Sequence, residues 1–150
     1  MEKGVTTAAA KIPTSRVRPT LSTQFHIDRE WWERAGRELQ VYLRDHLCPE
    51  HRQQYDESEP GLKVDHVDPY SGEVTVMDRF QDLLISHCSQ QPDFVTPQMS
   101  LINAIFRIFL ASGNLPQTPE QLSERTGRSA HTILRTLSGP RIYRGIRPLE

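Results

Sequence analysis

The stretch Thr118–Leu149, TPEQLSERTGRSAHTILRTLSGPRIYRGIRPL, constrains this chain more than any other, because local chemistry specifies both ends of two successive helices. Thr118 and Gln121 have the spacing of a capping box, and Pro119 falls at the first helical position, where its missing N–H costs nothing. Gly127 can adopt the left-handed conformation that ends a helix, and Ser129 can cap the next one. Leu122, Ile133 and Leu137 then fall where two crossed helices share an apolar seam. A basic strand, RIYRGIRPL, follows the break at Gly139-Pro140.

The pattern Leu122-x-Glu124-x-x-Gly127-x-Ser129-x-x-Thr132-Ile133-x-Arg135-x-Leu137 resembles the helix-turn-helix of bacterial DNA-binding proteins, and the strand after it resembles that of winged-helix domains. The resemblance implies a second helix that reads double-stranded DNA in the major groove. With Ile133 and Leu137 turned inward, Ser129, His131, Thr132, Arg135 and Thr136 fall wholly or partly outward. Arg128 lies at the helix start, where phosphate would also meet free N–H groups. Arg135 suits guanine, and His131 or Thr132 a base or a phosphate. Arg141, Arg144 and Arg147 are candidate phosphate contacts, of which Arg141 and Arg147 share one face of a regular strand. The chain has only a few residues beyond Gly145, so the expected wing is truncated, its strand pairing near Leu115–Gln117. A lone recognition helix covers little DNA, which implies a homodimer on paired half-sites. The alternative is a scaffold of the same kind used as a protein–protein adaptor, since a fold does not fix its use.

Charge divides along the chain in a way that suits this reading. Residues 1–20 carry four Lys or Arg against one Glu, residues 21–96 seven against fifteen acidic residues, and residues 97–150 seven Arg against three Glu. An acidic middle lies between basic ends, and local positive surface, not total charge, attracts nucleic acid. The acidic region is a candidate surface for a protein partner.

Three regions are expected. Residues 1–24 lack periodicity and read as a disordered basic arm. Residues 25–95 form an acidic helical region with a β-hairpin, and residues 96–150 the helix-turn-helix domain. A helix is predicted from Asp28 to Leu47, with Trp32, Ala35, Leu39 and Leu43 on its apolar stripe and Trp31 off it, ending at Cys48-Pro49. A polar linker, HRQQYDESEPG, follows. Leu62, Val64 and His66 alternate, as do Val74 and Val76, about the turn sequence Asp68-Pro69-Tyr70-Ser71-Gly72, which predicts an antiparallel hairpin. The carboxylates Asp65, Asp68, Glu73 and Asp78 do not have the spacing of a calcium loop. Asp78 caps a further helix carrying Phe80, Leu83, Leu84 and His87. The most apolar helix is predicted to be capped by Thr96, opened by Pro97 and closed by Gly113, with a face so wide that it must be covered on more than one side. The fold class is therefore mainly α with a small β-hairpin.

Cys48 and His51, with His87 and Cys88, make a second constellation. No signal-peptide pattern is present and the longest apolar run is too short to span a bilayer, so a cytoplasmic protein without a membrane segment is expected. In that setting two cysteines point to metal before disulfide. Cys-x-x-His with a distant Cys is how structural zinc sites are assembled, here one zinc ion clamping two segments. His87 adjoins Cys88, so His46, His66 and His26 are rivals for the fourth position. No phosphate loop or nucleophile motif is present, and no enzyme is expected.

Overall fold

The computed structural model describes residues 18–55 and 61–149. The expected basic arm falls mostly outside them. Its last residues form a turn closed by Thr20 and Thr23, whose Oγ1 accepts the Thr20 N–H at 2.8 Å, and lead into β1, Phe25–Ile27.

Asp28 caps α1, Arg29–Arg34, by accepting the Glu30 N–H. The predicted single helix to Leu47 is instead two, because Gly36 takes φ +69° and turns the chain. Its successor α2 spans Leu39–Arg44 and buries Leu39 and Leu43. Cys48 is extended before Pro49, as a residue preceding proline must be, but Pro49 then opens α3, Pro49–Gln54. The first four residues of the expected linker, 51–54, are thus helical.

The predicted hairpin is present. β2, Lys63–Val67, pairs antiparallel with β3, Val74–Asp78, with Val67 opposite Val74. Asp68 is used by its own turn, where Oδ1 accepts the Tyr70 N–H at 2.7 Å and the Ser71 N–H at 3.1 Å. Asp78 ends β3 and caps α4, Arg79–Ser86, by accepting the Phe80 and Gln81 N–H groups. A 3-10 turn, Cys88–Gln90, follows.

α5, Leu101–Ala111, begins four residues later than predicted. Ser100, not Thr96, accepts the N–H of Asn103 and caps it. Ala104, Ile105, Phe106, Ile108, Phe109 and Leu110 are all buried, so this helix is covered on several sides. It packs on α4, on β1 and on α6, Pro119–Thr126. Both halves of the Thr118–Gln121 capping box are formed, and Gly127 closes α6 at φ +74°. Ser129 then caps α7, Ala130–Leu137.

The basic strand does not pair with Leu115–Gln117 as expected. β4, Ile146–Pro148, pairs with β1, Ile27 standing opposite Ile146 and Phe25 opposite Pro148. Gln117 bridges the other edge of β1 at Phe25. β1 thus lies between β4 and Gln117, and its Phe25 and Ile27, 0% and 3% exposed, bury their side chains in the core. Seven α-helices and two two-stranded antiparallel sheets therefore make up the described residues. One continuous apolar core joins β1 and α2 to α4, α5, α6 and α7.

Candidate functional site

Two arrangements stand out, one on α6 and α7 and one where α3 meets the end of α4. In the first, Leu122 and Ile133 are fully buried and Leu137 nearly so, which locks the two helices across a three-residue turn. The turn is held by its own polar groups. Ser123 Oγ donates to the Arg128 carbonyl at 2.6 Å, and Thr126 Oγ1 accepts the Arg128 N–H at 3.1 Å.

With the inner face fixed, His131 and Arg135 are exposed, one helical turn apart and hence on the same side. Thr132 is half-buried between them. Ser129 is occupied as the cap, accepting the Thr132 N–H at 3.3 Å, and Thr136 Oγ1 donates back to the Thr132 carbonyl at 2.8 Å.

The remaining predicted arginines divide. Arg128 Nη2 donates to the carbonyls of Pro97 at 2.9 Å and Met99 at 2.6 Å, tying the turn to the segment before α5. Arg144 lies over the rings of Tyr42, at 5.2 Å, and Phe106, at 5.8 Å, and donates to Asn103 Oδ1. Arg147 Nη1 donates to Asp28 Oδ2 at 3.2 Å. Arg141 is exposed and stacks on Tyr143 at 5.1 Å. Three of the nine residues singled out on sequence grounds thus have their guanidinium groups committed within the molecule.

The second arrangement collects the metal candidates. Cys48 stands at the start of α3 and His51 within its first turn, while His87 ends α4 and Cys88 opens the 3-10 turn. One donor atom from each of Cys48, His51 and His87 lies within 4.8 Å of the others, a cluster that can hold a metal ion. Cys48 Sγ is 3.4 Å and Cys88 Sγ 3.6 Å from His51 Nδ1. The rings of His51 and His87 meet edge to face at 4.4 Å, and His87 Nε2 is buried with no hydrogen-bond partner. Burial pushes the Cys88 thiol up to about 12, so a thiolate there needs a cation beside it.

Two of the three rival histidines are occupied elsewhere. His46 Nδ1 accepts the Arg107 Nε–H at 3.2 Å, and burial, then Arg107, press its pKa down to about 3, keeping the ring neutral. His66 Nδ1 is 2.8 Å from Asp82 Oδ1. His26 faces Arg147 across the β1–β4 pair.

Arg107 and Asn114 carry more of the structure than the sequence announces. Arg107 also donates to the Phe94 carbonyl at 2.9 Å and lies over the Phe94 ring at 5.0 Å. A lone arginine inside an apolar run was the available signal. Asn114 accepts the Ile27 N–H at 2.8 Å and donates to the Ile27 carbonyl at 2.9 Å, standing in for a strand on that edge of β1. No helix among the described residues is long and apolar enough to cross a membrane. Comparison with known proteins finds no matching family model, no matching curated protein and no matching solved structure.

Proposed function

We propose that this is a non-enzymatic, cytoplasmic protein that binds double-stranded DNA through α7, as a homodimer, in transcriptional control. The observation that carries the reading is the pairing of a locked inner face, Ile133 and Leu137, with exposed His131 and Arg135 one turn apart on the outer one. A rigid helix presenting an imidazole and a guanidinium to solvent is what major-groove readout needs. His131, Thr132 and Arg135 are the proposed base contacts, and Arg141 the proposed phosphate contact. Helices α5, α6 and α7 with β4 are read as a winged-helix-like unit with a truncated wing, in which β1 supplies the missing partner strand.

Arg128, Arg144 and Arg147 are removed from the proposed interface because each already has acceptors or an aromatic partner inside the molecule. That same observation favours the second reading, an adaptor that meets another protein, since it lowers the free positive charge of the C-terminal region. On either reading, we propose that the thiol–imidazole cluster holds one structural zinc ion.

A salt titration of binding to random-sequence duplex separates the two readings. Counterion release predicts measurable affinity at low salt that falls steeply as salt rises. No binding at low salt would overturn the DNA reading and leave the adaptor.

A further inference from the structure

We propose that Cys88 completes a closed centre of two thiolates and two imidazoles with Cys48, His51 and His87, and that the ion ties α3 to the end of α4. This rests on the zinc reading above and adds to it the fourth ligand and the consequence for α3.

The geometry around His51 carries the assignment. Its Nδ1 has one sulfur at 3.4 Å and another at 3.6 Å. A neutral ring nitrogen holds either one lone pair or one proton, so it makes one good hydrogen bond, not two. A metal ion accounts for both sulfurs at once. With Zn–S near 2.3 Å and Zn–N near 2.0–2.1 Å, tetrahedral angles separate a sulfur from a nitrogen ligand by about 3.5–3.6 Å. The 3.6 Å separation to Cys88 falls in that range and the 3.4 Å separation to Cys48 is about 0.1 Å below it.

His87 supplies the second imidazole. Its Nε2 is buried without a hydrogen-bond partner, and its ring stands nearly perpendicular to that of His51. A buried polar atom without a partner needs an explanation, and coordination provides one. Neighbouring residues seldom reach the same ion, but His87 leaves helical geometry, at φ −133° and ψ −59°, before Cys88 starts the 3-10 turn. Donor atoms of Cys48, His51 and His87 already lie within 4.8 Å of one another, and Cys88 reaches that group at His51, 3.6 Å from its Nδ1. His46 and His66, the nearest rivals, already bond Arg107 and Asp82. Two sulfurs and two nitrogens in a tetrahedron favour zinc, and four protein ligands leave no open position for a substrate.

The position of α3 shows what the ion is for. This helix has six residues and none of them is buried. Its side-chain contacts with the body of the fold include the cluster, an exposed ion pair of Arg52 with Asp45 at 3.6 Å, and Tyr55 at its end, which meets the Phe80 ring and lies 4.5 Å from the Arg79 guanidinium. A helix with no buried residue of its own, held at its end by Tyr55, gains a tether at its start from Cys48 with His51.

The test uses the full chain, loaded with zinc, stripped by chelator and refilled with cobalt(II). The expected result is one zinc per chain and a tetrahedral cobalt spectrum whose thiolate charge-transfer intensity corresponds to two sulfurs. Cys88→Ser should halve that intensity and weaken zinc by more than the roughly 10–100-fold that outer-shell changes cost. On metal removal, amide exchange should accelerate at least about tenfold in residues 50–54 and stay unchanged in α7. Wild type without zinc would overturn the zinc reading itself. Wild type with zinc but a one-sulfur cobalt spectrum would overturn the role of Cys88 alone, and that readout does not depend on the variant folding. Unchanged exchange in α3 after metal removal would overturn the tether.

Discussion

The indole Nε1 of Trp32 donates to the main-chain oxygen of Arg144 at 3.0 Å, across 112 residues of sequence. The next residue repeats the attachment, since the Asp28 N–H donates to the Gly145 carbonyl at 2.7 Å. These bonds hold the segment after α7 against the first helix. They also explain the backbone there, where Arg144 sits at φ +54° and Gly145 at φ +77°.

Gly145→Ala should therefore be among the most damaging single changes. A Cβ at this position would stand 2.7 Å from Trp32 Nε1 and 3.1 Å from Trp31 Cε3, in addition to the left-handed backbone. Denaturant unfolding is expected to lose clearly more than the about 1–3 kcal/mol of backbone strain alone. Gly127→Ala is the control. It has φ +74° but nothing within 4 Å of a new Cβ, so only the backbone cost of about 1–2 kcal/mol is expected.

Asn114→Gly removes the amide that bonds both the N–H and the carbonyl of Ile27 while leaving φ +70° free of strain. Two partly buried main-chain groups lose their partners. Unfolding experiments should show a loss of about 1–3 kcal/mol, and a neutral result would mean that water replaces the side chain fully.

Arg135→Ala and Arg144→Ala should separate binding from stability. Arg135 is exposed, so its removal should change stability by less than about 0.5 kcal/mol. It should weaken a specific duplex by about 1–3 kcal/mol in a binding titration. Arg144→Ala gives up the Tyr42 and Phe106 rings and the bond to Asn103, so it should destabilise by about 1–3 kcal/mol. Its effect on duplex affinity should be smaller than that of Arg135.

Ile133→Ala tests whether α6 and α7 form one unit. Ile133 is 0% exposed at their seam, and the truncation should cost about 2–5 kcal/mol. Calorimetry should show a lowered transition temperature, and exchange protection should fall in α6 as well as in α7.

The parts of the fold legible in the sequence are those set by neighbours in the chain. Thr118, Gly127, Ser129 and Asp78 fix helix ends by bonding N–H groups two or three residues away or by taking a left-handed turn, and each does so as expected. Gly36 shows the limit of that reading. Its apolar neighbours keep helical spacing on both sides, which hides a break made by one residue. Ser100 displaces Thr96 for a similar reason, since both have the chemistry of a cap and only packing chooses between them. The partners of Arg128 were not legible at all, because the acceptors are main-chain carbonyls of Pro97 and Met99 and leave no mark in side-chain chemistry. The four proposed metal donors were legible as residue types. What the sequence hid was the engagement of His46 by Arg107 and of His66 by Asp82.

The ladder between β1 and β4 has a consequence for the order of folding. It joins Phe25 to Pro148, and Gln117 lies on the opposite edge of the same strand. The hydrogen bonds within the helices between them are local and close short loops. This ladder needs a loop of nearly the whole described chain to close, an entropic toll that grows slowly with length but delays the event. Closure of β1 onto β4 is then expected to be a late step, to be read as slower protection of the Asp28 and Arg147 amides than of the α5–α7 amides in pulse-labelled refolding.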